Sequence, residues 1–195
     1  RWRHPGAGHA PLEGHFELTP DERKRLIGIL PSLKGDDLYN ALYIVRLGGI
    51  KEGGPELLLR LVDRVPGYLV GDVLYTLKWH WQDDPRYGEG LVRAMERTEV
   101  WDRRVWMAVY LDEATRPLSA EAIGVLLRLL RSRGRIRRQS HRYHRAWAKL
   151  LISDVLAVRL LGRERPGFRP PETSAQRHAL MEASRKAVRW WREEW

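Results

Sequence analysis

The chain contains no cysteine in its 195 residues. This excludes disulfide bonds, thiol catalysis, and zinc or iron–sulfur sites that cysteine would hold. No apolar run approaches the roughly 18 residues that a membrane-spanning helix needs. The first residues also lack the apolar segment of a signal peptide. From these absences we expect a cytoplasmic protein that is not attached to a membrane.

Signals for β-strands are missing as well. No stretch sustains the alternation of apolar and polar residues that is typical of a strand, and neither Asn-Gly nor Asp-Gly occurs. Apolar residues instead recur with helical spacing, as they do at Leu26, Ile29, Leu30 and Leu33. The sequence therefore predicts an all-α protein of about nine helices.

Two stretches of the chain are nearly the same. Gly35–Tyr39 and Gly71–Tyr75 share Gly, Asp, Leu and Tyr in register, at an offset of 36 residues. Repeats of about 30–50 residues are typical of stacked helical units. One hairpin cannot bury both of its apolar faces, but a stack of hairpins can. We therefore predict four antiparallel helical hairpins followed by a closing helix.

The domain organisation follows from the same signals. Residues 1–17 are rich in glycine and proline and have almost no periodicity, so we interpret them as an irregular N-terminal arm. A capping box at Thr19–Glu22 begins the ordered part, and a second one at Thr173–Gln176 begins the last helix. The prediction is a single repeat domain over residues 18–195, with its closing helix at 173–195.

This arrangement resembles the HEAT and HEAT-like repeat proteins. The resemblance covers Thr19 to Val158 and rests on paired helices about 36 residues apart, short Pro/Asp turns, and Asp at the start of second helices. It implies a short right-handed α-solenoid that binds a protein partner on a slightly concave face made mostly of second helices. An irregular helical bundle is the alternative.

We predict a non-enzymatic binding or scaffold protein with no cofactor and no metal. Nucleophile elbows, phosphate loops and dinucleotide fingerprints do not occur in the sequence. The candidate partner-binding residues lie off the apolar stripes and are of types enriched at binding hot spots: Tyr39, Tyr43, Tyr75, His80, Arg103, Trp106 and Tyr110. Tyr39 and Tyr75 could instead pack between hairpins. The formal charge of +10 favours contact with phosphates, acidic proteins or anionic lipid, so a protein partner could be acidic. No oligomeric state is predicted.

The alternative function is nucleic-acid binding through the arginine-rich turn at residues 131–145. Guanidinium groups match phosphate geometry, and nearby Tyr or His rings can stack on bases. The candidate residues are Arg131, Arg133, Arg135, Arg137, Arg138, Arg142 and Arg145. The competing interpretation is a solvated basic loop, or a basic loop that pairs with Glu164, Glu172 or Glu182.

Three weaker hypotheses complete the sequence analysis. His141 and His144 share a helix face and could supply half of a metal site, with His178 or Asp154 as a third ligand. Residues 79–84 combine aromatics, a histidine and two carboxylates, but we expect helix capping there, with His80 exposed. Residues 101–106 supply the Trp, Asp and Arg that HEAT-like alkylpurine DNA glycosylases carry on a basic concave face, which makes base excision a remote possibility.

Overall fold

A computed structural model describes residues 17–132, 139–163 and 172–194, and for 139–141 it describes the backbone only. These ranges hold nine α-helices, two short 3-10 helices and no strand. The α-helices are α1 (Pro20–Ile29), α2 (Gly35–Leu47), α3 (Gly54–Val62), α4 (Val70–Trp81), α5 (Pro85–Arg97), α6 (Trp101–Asp112), α7 (Ala120–Arg131), α8 (Gln139–Leu161) and α9 (Ser174–Glu193). The predicted all-α class is confirmed. The predicted N-terminal arm lies outside the described residues, apart from Glu17.

None of the described helices is both long and apolar enough to cross a membrane.

The helix starts agree with the capping signals in the sequence. Thr19 and Thr173 each form a complete capping box, with Glu22 and Gln176 as the reciprocal partners. Asp84 accepts the backbone N–H of Arg86 at 2.8 Å and so caps α5. A side-chain cap of this kind stabilises a helix by about 1 kcal/mol, because it satisfies a backbone donor that has no partner inside the helix.

A proline and a glycine lie at two of the helix boundaries. Pro31 lies in a 3-10 turn at Leu30–Ser32, which ends α1 as the proline predicts. Helix α2 begins at Gly35, just before Asp36 and Asp37, the two residues at which the sequence predicts a start. Gly35 has φ +53°, a backbone conformation that glycine adopts at little cost and other residues rarely adopt.

Every second helix along the chain is a neighbour in space, so the helices form two rows. Along one row α2 contacts α4, α4 contacts α6, and α6 contacts α8. Along the other row α3 contacts α5, and α5 contacts α7. The last helix, α9, packs against α8 and α7.

The main core lies between these two rows. Leu38 and Leu74 occupy equivalent places in the two similar stretches, and their side chains are 1% and 0% exposed. Tyr39 is only half-buried, and its counterpart Tyr75 is exposed. The leucine of the repeated stretch therefore supports the core in both places, while the tyrosine packs against the core at Tyr39 and is exposed at Tyr75. A smaller apolar cluster joins α6 to α8 through Trp101, Val105, Trp147 and Ala148.

Candidate docking surface

The outer side of α4 carries an exposed row of aromatic residues. Tyr68 lies in the 3-10 turn just before α4, and Tyr75 and Trp79 follow on the helix. A spacing of four residues places Tyr75 and Trp79 on one side of α4. Tyr68, Tyr75 and Trp79 are 62%, 36% and 58% exposed, while the opposite side of α4 is buried through Val73, Leu77 and their neighbours. Exposed aromatics on a well-packed helix are candidates for a binding surface.

Arg46 of α2 links this aromatic row to the neighbouring helix. Its guanidinium carbon lies 5.6 Å from the ring centroid of Tyr43 and 5.1 Å from that of Tyr75. The rings of Tyr75 and Trp79 are 6.0 Å apart and tilted by 59°. Leu47, next to Arg46, is 42% exposed. We call Tyr43, Arg46, Leu47, Tyr68, Tyr75 and Trp79 the docking surface. Cation–π contacts join the arginine to the two tyrosines within it.

The docking surface includes two of the residues predicted from the sequence, Tyr43 and Tyr75. The half-buried Tyr39 and Trp106 pack against the main core instead. The ring of Trp106 covers the backbone of α4 at Gly71, where an added Cβ would lie 3.8 Å from that ring. Trp106 therefore serves the contact between α6 and α4.

The expectation that Tyr110 is a surface residue is wrong. Its side chain is 7% exposed, and its hydroxyl donates to the carbonyl oxygen of Gly71 at 3.3 Å. The carbonyl of Tyr110 in turn accepts the hydroxyl of Tyr87 at 3.1 Å. Burial raises the pKa of both tyrosines well above the usual value, so both stay neutral hydrogen-bond donors.

Arg103 is also engaged inside the protein. Its guanidinium donates to the carbonyl oxygens of Val62 at 2.5 Å and Val65 at 2.9 Å. These carbonyls lie at and just beyond the end of α3, where backbone acceptors have no partner within the helix. A positive charge there is also favourable to the helix dipole. Arg103 therefore ties α6 to the end of α3.

The expectation that His80 is exposed is wrong as well. The ring is half-buried, and Nε2 donates to the carbonyl oxygen of Val45 on α2 at 2.9 Å. Burial lowers the pKa of His80, with smaller contributions from Lys51 and Arg46. The two nearby carboxylates are used elsewhere: Asp84 binds Arg86, and Asp83 accepts the hydroxyl of Thr115 at 2.7 Å. His80 links α4 to α2, and capping accounts for Asp84, as predicted.

Only part of the arginine-rich turn can be placed. Arg133, Arg135, Arg137 and Arg138 lie outside the described residues. Arg131 and Arg142 are exposed, and Arg145 is half-buried. Burial lowers the pKa of Arg145, and Arg142 adds to the effect. Of the proposed acidic partners, Glu182 pairs with Arg185 on its own helix instead.

Of the residues that suggested base excision, Trp101 and Arg104 are buried, whereas Asp102, Arg103 and Trp106 are partly exposed. Trp101 is 3% exposed, and Arg104 lies over its ring with the guanidinium carbon 4.3 Å from the centroid. Arg104 also donates through Nε to the carbonyl of Met95 at 2.9 Å. Trp101 is therefore a packing residue, because a buried ring cannot stack on a base.

The proposed metal ligands do not come together in the part of the chain that is described. His144 Nε2 lies 3.6 Å from Asp102 Oδ1, but no cluster of three or more His, Cys, Asp or Glu residues is found there. The side chain of His141 lies outside the description. Asp154 is instead next to Asp112, and burial followed by this second carboxylate raises the pKa of Asp154 to about 6.

A shallow pocket of about 170 Å³ lies along α3. Pro31, Leu57, Arg60, Leu61 and Arg64 line it. Sites for drug-sized ligands usually measure about 300–1,000 Å³. The pocket also lies on the row of helices that does not carry the docking surface.

Sequence reasoning missed Tyr68, Trp79, Arg46 and Leu47 as members of the surface. A detectable signal was present, because Tyr68, Asp72, Tyr75 and Trp79 follow a helical stripe opposite the apolar stripe of α4. Comparison with known proteins adds no further candidate: no protein-family model, no curated protein and no solved structure matches this chain.

Proposed function

We propose that this chain is a non-enzymatic, HEAT-like binding protein that docks a protein partner on its row of second helices. In this proposal its hairpins stack as a short α-solenoid. The succession of contacts supports such a stack, since each helix of a row contacts the next helix of the same row. Hydrogen bonds from His80, Arg103 and Tyr110 to backbone carbonyls 35 to 41 residues earlier also join one hairpin to the one before it.

The observation that carries the proposal is the exposed aromatic row of α4. Tyr75 and Trp79 project from a helix whose other side is fixed in the core, so their positions are set in advance. Large aromatic side chains bury much apolar area at little entropic cost, and Tyr, Trp and Arg are enriched at binding hot spots. A rigid platform also reduces the ordering cost of association.

The charged residues around the aromatic row of α4 indicate the chemistry of the partner. Arg46 presents a guanidinium between the two tyrosine rings, and the exposed Lys51 lies just after α2. The whole chain carries a formal charge of +10. A protein segment with apolar side chains flanked by Asp or Glu would complement this surface, and the charges would speed its association.

Trp79→Ala is the variant that tests this proposal most directly. Proteins captured from lysate by the wild-type chain would be identified, and the affinity of the best stoichiometric candidate would be measured by calorimetry. The expected result is a loss of at least tenfold in affinity for Trp79→Ala, equivalent to about 1.4 kcal/mol. Hydrogen exchange on the complex should show protection concentrated in residues 68–82.

Val100→Ala is the matched control, because Val100 is an exposed apolar residue (43%) outside the docking surface. It should bind with wild-type affinity. Equal binding by both variants, or protection confined to the α3–α5–α7 row, would reject the docking surface.

A further inference from the structure

Positively charged side chains from several helices meet at the end of α7. Lys149 of α8 donates to the carbonyl oxygen of Ser132, the residue that follows α7. Arg192 of α9 donates to the carbonyl of Arg131 at 3.3 Å, and Arg131 donates back to the carbonyl of Trp191 at 3.5 Å. These contacts hold the end of α7 between α8 and α9.

Two members of this group are buried. Lys149 is 8% exposed, and Arg104 on the adjoining α6 is 9% exposed. Burial, followed by the positive charges of Arg145, Arg192 and Arg104, lowers the pKa of Lys149 to about 8. In the described ranges, no carboxylate forms an ion pair with Lys149, Arg131 or Arg192.

The end of α7 cannot neutralise this charge. A helix C-terminus carries roughly half of one negative charge. Lys149 and Arg192 bring two positive charges to it, Arg131 donates to a carbonyl at the end of α9, and Arg104 and Arg145 lie close enough to influence Lys149. Among the described residues Lys149 and Arg192 each donate to one carbonyl, although an ammonium has three donors and a guanidinium has five. Within the described ranges the junction therefore carries surplus positive charge.

The positive charge extends along α8. Arg142, Arg145 and Lys149 are spaced by three and four residues, so they lie on one side of the helix over about 10 Å. Their exposure decreases in that order, from exposed to half-buried to buried. A row of this length exceeds one phosphate group and suits a chain of phosphates.

We propose that the junction of α7, α8 and α9 binds the phosphate backbone of a nucleic acid, with Lys149 and Arg192 as its inner contacts and Arg142 as its outer contact. This site is separate from the docking surface on α2 and α4, and it does not depend on the function proposed above. It shares Arg131, Arg142 and Arg145 with the arginine-rich turn predicted from the sequence, but its inner contacts, Lys149 and Arg192, come from the middle of α8 and the end of α9.

The test is fluorescence anisotropy with the full chain and a labelled single-stranded DNA of mixed sequence, over a range of NaCl concentrations. Each phosphate contact contributes about 0.7 to the slope of log K against log salt for a single strand. Arg192→Gln and Arg142→Gln should each reduce the slope by about that amount and weaken binding several-fold at low salt. Arg60→Gln removes the same charge from the exposed face of α3 and should change neither quantity.

Lys149→Gln tests the inner contact, with Lys149→Arg as the charge-preserving comparison. Circular dichroism checks that both Lys149 variants are folded. If Lys149→Gln does not fold, the DNA affinity of Arg192→Gln decides whether the proposal holds. Trp79→Ala should bind the DNA as the wild type does. The proposal is overturned if Arg192→Gln and Arg60→Gln bind the DNA alike. It is also overturned if inorganic phosphate binds in an Arg192-dependent manner while the DNA does not bind.

Discussion

Replacing Trp191 with alanine should cost the fold far more than replacing the equally large Trp79. Trp191 is 1% exposed, and its indole Nε1 donates to the hydroxyl of Ser153 on α8 at 2.9 Å. Truncating a buried tryptophan costs about 3–5 kcal/mol, because apolar contacts are lost and a cavity remains. The variant also leaves the buried Ser153 hydroxyl without its donor. We expect a loss of about 4 kcal/mol.

That loss is large beside the total stability of a domain, which is about 5–15 kcal/mol. For a chain of this size it corresponds to a fall in Tm of about 8–16 °C. Urea unfolding followed by circular dichroism is the suitable assay, because tryptophan fluorescence would itself change with the substitution. Trp79→Ala is the control, and its 58% exposure predicts a change within about 0.5 kcal/mol.

A double-mutant cycle of Trp191→Phe with Ser153→Ala would isolate the hydrogen bond, for which we expect about 1 kcal/mol. A loss below about 1.5 kcal/mol for Trp191→Ala, or equal losses for Trp191→Ala and Trp79→Ala, would refute the conclusion that α9 is an integral part of the domain.

Three further substitutions test other parts of the packing. Gly90→Ala should destabilise the protein by about 1–3 kcal/mol, because the new Cβ would overlap the side chain of the buried Leu59. Gly28→Ala is the control: its Cβ would meet no atom, so the variant should stabilise α1 by about 0.5–1 kcal/mol. Urea unfolding measures both changes. The raised pKa of Asp154 means that the folded state binds the carboxyl proton more tightly than the unfolded state does, so the protonated carboxyl contributes its full stabilisation below about pH 4 and loses it as the pH rises through about 6. Asp154→Asn should therefore flatten the fall in Tm between about pH 4 and pH 6. An unchanged pH profile of Tm in this variant would contradict the assignment. Arg103→Gln should cost about 1.5 kcal/mol in urea unfolding, because the end of α3 loses two charge-assisted hydrogen bonds, and a change below about 0.3 kcal/mol would show that water replaces them.

The helical class and most helix boundaries could be predicted because their signals are local. Thr19, Asp84 and Thr173 cap helices through groups only two or three residues away. The buried stripe of α4 could be predicted for the same reason, since helical spacing alone places Val73, Leu74 and Leu77 on one side. Helix α2 starts just before the predicted Asp36 or Asp37, at Gly35, whose φ of +53° is a conformation that other residues rarely adopt.

The candidate site was harder to predict, because helical spacing does not show which polar or aromatic side chain meets a neighbouring helix. Tyr75 and Tyr110 are 35 residues apart and similar in type, yet one is exposed and the other is buried. Tyr110 finds an acceptor at Gly71, where the absence of a side chain leaves room near the α4 backbone. Trp79 seemed to belong to a capping segment, and it proved to be an exposed member of the docking surface.

What this sequence determined by itself is a set of amphipathic helices with defined ends, because capping bonds and the 3.6-residue period need no distant partner. The tertiary structure alone decided the roles of His80, Arg103 and Lys149. Their hydrogen-bond acceptors are backbone carbonyls at Val45, Val62, Val65 and Ser132, which lie 17 to 41 residues away in the chain. Only packing brings those helix ends within reach, and only then does a charged side chain that looks solvated in the sequence become a link between helices.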